Sequence, residues 1–236
     1  MKKVVCMVTL ALVAALSLPV LAKDKDKGVE TPFANWGIIT VPTDLQMNQG
    51  TQEMLTAQRY GNDVTRMLEQ IYPVEPVSWQ VVQIDQGMFQ YGYVLRYSVN
   101  LWQVESALQG RSTENAYLRD IGDKPDAATL MSHANNRLIT MLPAGWSVVK
   151  PFTAKTVKGT KFYEATLADQ FIVNQAYFTE TIRVISWVHG NDVEIAVVFA
   201  HNGDGENLLD TVTDMLEHAK KDAALTASFL SDQICT

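Results

Sequence analysis

A row of aromatic side chains at alternate positions is the feature of this sequence best suited to holding a ligand. The row consists of Phe89, Tyr91, Tyr93 and Tyr97. A period of two places these side chains on one face of a strand. Because tyrosine joins an apolar ring to a polar hydroxyl, a buried row needs hydrogen-bond partners or the mouth of a pocket. A cavity beneath it would hold a small apolar ligand or a carbohydrate. The alternative is an ordinary sheet core.

The histidines do not form a metal-binding pattern. They are His133, His189, His201 and His218, and no two of them have the spacing of a zinc motif. The hairpin proposed below would place His189 at its turn and His201 beyond its far end, so these two side chains cannot share an ion. We therefore predict no metal site and no cofactor.

Three carboxylates recur every four residues near the end of the chain. Glu206, Asp210 and Asp214 share one helix face, opposite the apolar stripe, which predicts a solvated surface rather than a catalytic cleft. The sequence also lacks a nucleophile elbow, a dinucleotide-binding glycine motif and a phosphate-binding loop. These observations favour a role without catalytic residues. A nucleophile assembled from distant residues leaves no such motif, so a hydrolase remains an alternative.

The N-terminus has the three parts of a secretory signal peptide. Lys2 and Lys3 form a positive region, an apolar run follows, and Val20-Leu21-Ala22 offers the small residues that a signal peptidase reads. We predict cleavage after Ala22 and export to the periplasm or beyond. An uncleaved anchor is the alternative, but after cleavage the sequence predicts no membrane span.

Charge and cysteine content narrow the class of partner. Loss of Lys2 and Lys3 changes the formal net charge from −7 to −9. An acidic protein without a basic cluster is not expected to bind nucleic acid or anionic lipid. Cys235 is the only cysteine left after cleavage, so no disulfide within the chain is predicted. This holds although exported proteins usually reach an oxidising compartment, where disulfides form. The role of Cys235 and the oligomeric state stay open.

The elements around the aromatic row follow from the spacing of the apolar residues. A first strand covers 36–41 and stops at Pro42, which cannot donate to a ladder. A 3.6-residue period then predicts a helix whose apolar residues are Tyr60, Val64, Met67, Leu68 and Ile71. Strict alternation predicts a strand over 79–84 and a longer one over 89–101 with one face buried. A second helix covers 125–142.

A hairpin and a helix near the end of the chain are the clearest local patterns. Two apolar strands flank a two-residue turn at Gly190-Asn191, which pairs Val188 with Val193. This register puts one apolar face of the hairpin inside. An amphipathic helix follows over about 206–221. Its stripe consists of Leu208, Leu209, Val212, Met215, Leu216 and Ala219.

The order of elements predicts an α+β fold. The strands are joined by hairpin-like connections, so we expect a mostly antiparallel sheet with helices packed on it. The predicted organisation is a signal peptide over 1–22, a flexible polar leader over 23–35, a single domain over 36–224 and a C-terminal tail over 225–236.

The element order resembles that of the PsbP family. The resemblance rests on a strand that closes on a proline (Ile38 to Pro42), a later strand at Lys161-Phe162-Tyr163-Glu164-Ala165, a long hairpin and a C-terminal amphipathic helix. It covers residues 36–221 in outline. Proteins of that family are exported α/β sandwiches, and the resemblance implies an accessory, non-catalytic role.

Together these patterns predict an exported bacterial envelope protein that acts through a protein partner. A carrier of a small apolar ligand beneath the aromatic row is the second interpretation, and an unrecognised hydrolase is the third.

The export prediction is tested at the cleavage site. We expect the chain recovered from the envelope to begin at Lys23 by mass spectrometry. The variant Ala22→Trp should be exported but stay uncleaved, because the peptidase accepts only a small residue there. The matched variant Lys23→Ala should be processed normally. Unprocessed wild-type chain in the cytosol would contradict the prediction.

Overall fold

The computed structural model describes residues 28–51, 53–54, 61–86, 90–111, 127–200 and 205–221. The predicted signal peptide over 1–22 and the predicted tail over 225–236 lie outside the described residues.

Within these residues, strands outnumber helices. The strands are β1 (Val29–Pro32), β2 (Ile38–Val41), β3 (Gln46–Gln49), β4 (Ser78–Gln86), β5 (Gln90–Asn100), β6 (Trp146–Val157), β7 (Thr160–Val173), β8 (Ala176–His189) and β9 (Asp192–Ala200). The α-helices are α1 (Gly61–Ile71), α2 (Leu101–Leu108), α3 (Ala127–Thr140) and α4 (Gly205–Glu217). A 3₁₀ turn, Ala34–Trp36, separates the first two strands.

Strands β3 to β9 form one antiparallel sheet in the order β3-β4-β5-β9-β8-β7-β6, and β1 pairs with β2 beside it. Helices pack on this sheet. The predicted fold class, a single α+β domain with a mostly antiparallel sheet, is confirmed.

The predicted hairpin register is also confirmed. Val188 lies opposite Val193, and the two strands stay in this register as far as Ile182 opposite Phe199. Gly190 has a φ of 61°, while Asn191 is not among the residues with positive φ. This is the arrangement of a two-residue type II′ turn, in which glycine takes the first central position.

Both faces of the sheet are buried at its centre. Helices α1, α2 and α3 cover one face, where Leu95 and Val99 of β5 are buried. Helix α4 and the β1–β2 hairpin cover the other, where Val94 and Ser98 are buried. The prediction that β5 buries only one face is therefore wrong. Its polar positions suggested solvent, but Ser98 finds its hydrogen-bond partner in Glu194 instead of water.

Two segment boundaries also differ from the prediction. The polar leader was placed over 23–35, yet Val29–Pro32 forms a strand against β2. Four residues are too few to show a period, so the pairing was invisible in the sequence. Strand β5 ends at Asn100 rather than at Leu101, because the Asn100 side chain accepts hydrogen bonds from the backbone amides of Trp102 and Gln103 and begins α2.

The contact between β2 and the residues that follow α4 gives a test of this packing. Gly37 has a φ of 96° and a ψ of −149°, a region that only glycine adopts freely. A Cβ atom there would also collide with the carbonyl of Lys220, whose backbone pairs with Ile38. We expect Gly37→Ala to lower the free energy of unfolding by roughly 3 kcal/mol or more in urea titrations.

The matched control is Gly159→Ala. Gly159 also has a positive φ, 83°, but a Cβ atom added there would have no other atom within 4 Å. The Gly159→Ala variant should lower the free energy of unfolding by only about 1 kcal/mol, through backbone strain. Equal losses for the two variants would show that Gly37 does not make a tight contact.

Candidate functional site

The structure places Tyr93 and Tyr97 of the predicted aromatic row in different surroundings. Phe89 lies outside the described residues, and Tyr91 stands in β5 opposite Asp85. Tyr93 is buried in the core, with its ring centroid 5.6 Å from that of Phe199. Tyr97 borders an open cavity. The assignment of these residues to ligand binding stays a prediction.

That cavity, the groove, lies between α1, β4 and β5 and has a volume of about 660 Å³. Tyr97 and Trp79 contribute aromatic rings, and Glu69 and Glu75 contribute carboxylates. Burial raises the pKa of Tyr97 to about 12, and the two carboxylates act in the same direction. A phenolate is disfavoured beside negative charge, so the groove has a negative potential. It is suited to a positively charged group.

A second exposed feature is the outer end of the β7–β8 hairpin. β6 follows β7 only as far as Asp169, and β9 follows β8 only from Ile182. Residues 170–181 therefore lie beyond the ladders with β6 and β9, and from Gln170 opposite Thr179 to the turn their ladder partners lie within the same hairpin. Asn174 and Gln175 both have positive φ, 50° and 67°, as a type I′ turn requires. We call residues 170–181 the ribbon.

The ribbon carries apolar side chains on both faces. Phe171 lies opposite Phe178, with ring centroids 5.6 Å apart, and Ile172 lies opposite Tyr177. Successive residues of a strand point to opposite faces, so neither face is polar. Tyr177 is 83 % exposed, the highest value among the exposed large apolar residues of the described chain.

The edges of the main sheet are blunted, in contrast to the ribbon. Edge strand β6 contains Pro151 and two register shifts between Val148 and Thr153, which interrupt regular pairing. The opposite edge strand, β3, has only four residues. Short or irregular edges discourage pairing with other chains. The ribbon has no such protection.

The second face of the sheet buries a carboxylate. Glu194 is 0 % exposed, and its Oε1 atom accepts hydrogen bonds from Ser98 Oγ at 2.9 Å and Asn35 Nδ2 at 2.6 Å. Arg96 and Lys221 lie close enough for its charge to favour their protonated forms. A buried carboxylate is tolerated where donors and cations surround it. This cluster is closed, so it holds the fold together and offers no site.

Lys221 fills an aromatic cage beside that carboxylate. Its Nζ atom lies 4.0 Å from the ring centroid of Trp187, 5.2 Å from Trp36 and 5.5 Å from Phe162. It also donates to the carbonyl of Trp36 at 2.8 Å. Burial lowers the pKa of Lys221 to about 8, against the opposing effect of Glu194. The rings face an internal cation, so the cage is occupied by the chain itself.

The carboxylates of α4 border a shallower cavity of about 470 Å³. Asp210 and Asp214 are largely exposed, as predicted, but Asp210 also binds Arg183 at 2.6 Å. Glu217 is buried and binds Lys155 at 2.6 Å. Asp210 and Glu217 thus each have a cationic partner beside them. The cavity is a set of ion pairs rather than an arrangement aimed at a substrate.

Metal binding has no support in the described part of the chain. No group of three or more histidine, cysteine, aspartate or glutamate side chains there could hold an ion. His189 stacks on Trp187, with ring centroids 5.0 Å apart, and His218 lies 3.0 Å from Asp214. His201 lies outside the described residues.

Sequence reasoning missed the ribbon and most of the groove. The sequence predicted a hairpin around Gly190-Asn191 but no element for Tyr177 and Phe178, which lie in β8. Aromatic side chains in an otherwise polar stretch were the signal available. Trp79 was placed in a strand, but its meeting with Glu69 and Glu75 depends on how α1 packs, which no local pattern encodes.

Comparison with known proteins assigns no family. No protein-family model matches the chain, and no curated protein is similar to it. Among the described residues, no helix has the length and apolar character needed to cross a membrane. The resemblance to the PsbP family stays a prediction.

The buried cluster around Glu194 yields a stability test. We expect Glu194→Ala to lower the free energy of unfolding by about 3–5 kcal/mol. The buried hydrogen-bond donors would lose their acceptor, and the neighbouring cations would lose their counter-charge. Asp214→Ala, at a side chain 74 % exposed, should change it by no more than about 0.5 kcal/mol. Urea titration at pH 7 measures both. A loss below about 1 kcal/mol for Glu194→Ala would mean that water reaches the cluster.

Proposed function

We propose that this chain is an exported, non-catalytic accessory protein of a bacterial envelope and that it binds a protein partner through the ribbon. The observation that carries the proposal is the exposure of Ile172, Tyr177 and Phe178 in this hairpin. The export step rests on the predicted signal peptide.

The composition of the ribbon fits a protein interface. Aromatic residues are enriched at the centres of such interfaces, and exposed apolar patches mark contact sites. Phe171 and Phe178 stack, which stiffens the ribbon and reduces the conformational entropy lost on binding. An isolated two-stranded ribbon is only marginally stable in water, so exposing Tyr177 and Ile172 is hard to explain by folding alone.

The charge of the chain favours a protein over nucleic acid or lipid. Residues 170–181 contain no lysine or arginine, and Glu180 is acidic. Phosphate backbones and anionic lipid surfaces both attract basic residues. With the net charge of −9 predicted for the mature chain, both would be repelled at low salt.

The other interpretations receive less support. A carrier of a purely apolar ligand fits the groove poorly, because Glu69 and Glu75 would lose hydration without gaining a partner. No arrangement of described residues favours a hydrolase. The PsbP resemblance implies the same accessory role that we propose.

A photo-crosslinking amino acid at position 177 tests the proposal in the bacterium that produces the chain. We expect a discrete adduct of defined mass at 177 and none at 149, because Val149 is 63 % exposed but lies on the blunted edge strand β6. Purified wild-type chain should compete the adduct away from envelope preparations.

The double variant Tyr177→Ser/Phe178→Ser is the control competitor. It should compete at least about tenfold less well, since aromatic anchors carry most of the binding energy of an interface. Its unfolding midpoint in urea shows that it is folded. Equal adducts at 177 and 149, no adduct at 177, or undiminished competition by the folded double variant would each overturn the proposal.

A further inference from the structure

We propose that the groove between α1, β4 and β5 is a binding site for a small organic cation, an alkylammonium or guanidinium group on a short apolar body. This inference goes beyond the proposed function and does not depend on the ribbon. It rests on the aromatic floor of the groove, its two carboxylates, its rigid wall and the lack of a cation among its described lining residues.

The floor of the groove is a pair of aromatic residues on neighbouring strands. Trp79 of β4 lies directly opposite Tyr97 of β5. Cross-strand partners have Cβ atoms about 4.5–5.5 Å apart, so the two side chains leave the sheet side by side on one face. Trp79 is 45 % exposed although its neighbour on the same face, Val81, is buried in the core. The electron-rich face of an exposed indole is the best cation–π acceptor among the side chains.

Two carboxylates approach the aromatic floor from different elements. Glu69 comes from α1, one turn after Thr65, and Glu75 comes from the loop that follows the helix. Both act on the phenol of Tyr97, raising its pKa, so both lie within electrostatic reach of the floor. Within the described residues, neither carboxylate forms a salt bridge, and no lysine or arginine lines the groove. Their negative charge is thus not neutralised by a described side chain that lines the groove.

The wall opposite the helix is rigid before any ligand arrives. Pro73 and Pro76 flank Glu75, and proline fixes the backbone φ angle. The loop is tied at both ends, by a hydrogen bond from Val74 N to Tyr72 O at 2.7 Å and one from Val77 N to Ser98 O at 2.7 Å. A preorganised wall lowers the entropy lost on binding.

The Lys221 cage is a site of the same kind that is filled by a side chain of the protein itself. There three rings surround an ammonium group that the chain itself supplies, next to the carboxylate of Glu194. The groove has rings and carboxylates as well, but its described lining contains no cation. Recognition of ammonium groups by aromatic faces is a recurrent function of such sites.

The dimensions of the groove limit the ligand to a small molecule. A volume of about 660 Å³ falls within the range of roughly 300–1,000 Å³ of small-molecule sites. Leu68 and Leu95 add apolar surface beside the rings, which would contact the body of the ligand. The two carboxylates repel anions, and they attract a cation more strongly than a neutral ligand of the same shape.

The test compares a cation with its neutral isostere on the full mature chain. Choline and 3,3-dimethylbutan-1-ol have nearly the same shape but differ in charge, and agmatine adds a guanidinium and a primary amine. We expect choline or agmatine to shift the indole N–H signal of Trp79 saturably in ¹H–¹⁵N NMR spectra. The neutral alcohol should give no saturable shift at the same concentrations. The signal is assigned by its absence in Trp79→Phe.

Variants separate the groove from nonspecific charge effects. Glu69→Gln/Glu75→Gln should weaken cation binding by at least about tenfold, because both carboxylates lose their charge at the site. Asp210→Asn/Asp214→Asn removes the same charge from α4 and should leave the affinity unchanged. Urea midpoints show that each variant is folded.

The outcomes of the cation titrations do not depend on the ribbon. No saturable shift with either cation, equal binding of the neutral alcohol, or undiminished affinity of the folded Glu69→Gln/Glu75→Gln variant would overturn the inference. The Tyr177→Ser/Phe178→Ser variant should bind the cation as well as wild type does. Failure of the cation site would thus leave the proposed protein interface standing, and the reverse also holds.

Discussion

The pairing of β5 with β9 joins the two halves of the chain into one sheet. The ladder runs from Gly92 opposite Ala200 to Asn100 opposite Asp192, so it closes a loop of nearly one hundred residues. Such a closure loses chain entropy, which the burial of both faces of the joined strands offsets. Every other large feature depends on this ladder, because helices α1 to α3 and helix α4 cover opposite faces of the sheet that it creates.

Covering both faces explains why a carboxylate lies at the centre of the protein. Glu194 is directly opposite both Ser98 and Trp187, and it takes hydrogen bonds from the first of these. The cluster links three parts of the chain that are distant in sequence: the turn before β2, the central strands, and Lys221 after α4. Buried polar groups of this kind favour one arrangement of layers over others, because misplacing them leaves charges without partners.

Local patterns in the sequence were sufficient for the elements but not for the layers. The register of β8 and β9 followed from alternation and from Gly190, and the buried stripe of α4 followed from its 3.6-residue period. The second buried face of β5 did not, because Ser98 reads as a surface residue until Glu194 is placed beside it. The candidate site was likewise only partly visible. Tyr97 was identified, whereas the approach of α1 that adds Glu69 is a property of the tertiary packing.

The contact between β2 and the residues after α4 has a consequence for the order of assembly. Ile38 and Lys220 exchange backbone hydrogen bonds, and Lys221 enters a cage built partly by Trp36. When the chain is synthesised from its N-terminus, the β1–β2 hairpin cannot complete its packing until α4 has also emerged. Intermediates without α4 leave the second face of the sheet uncovered.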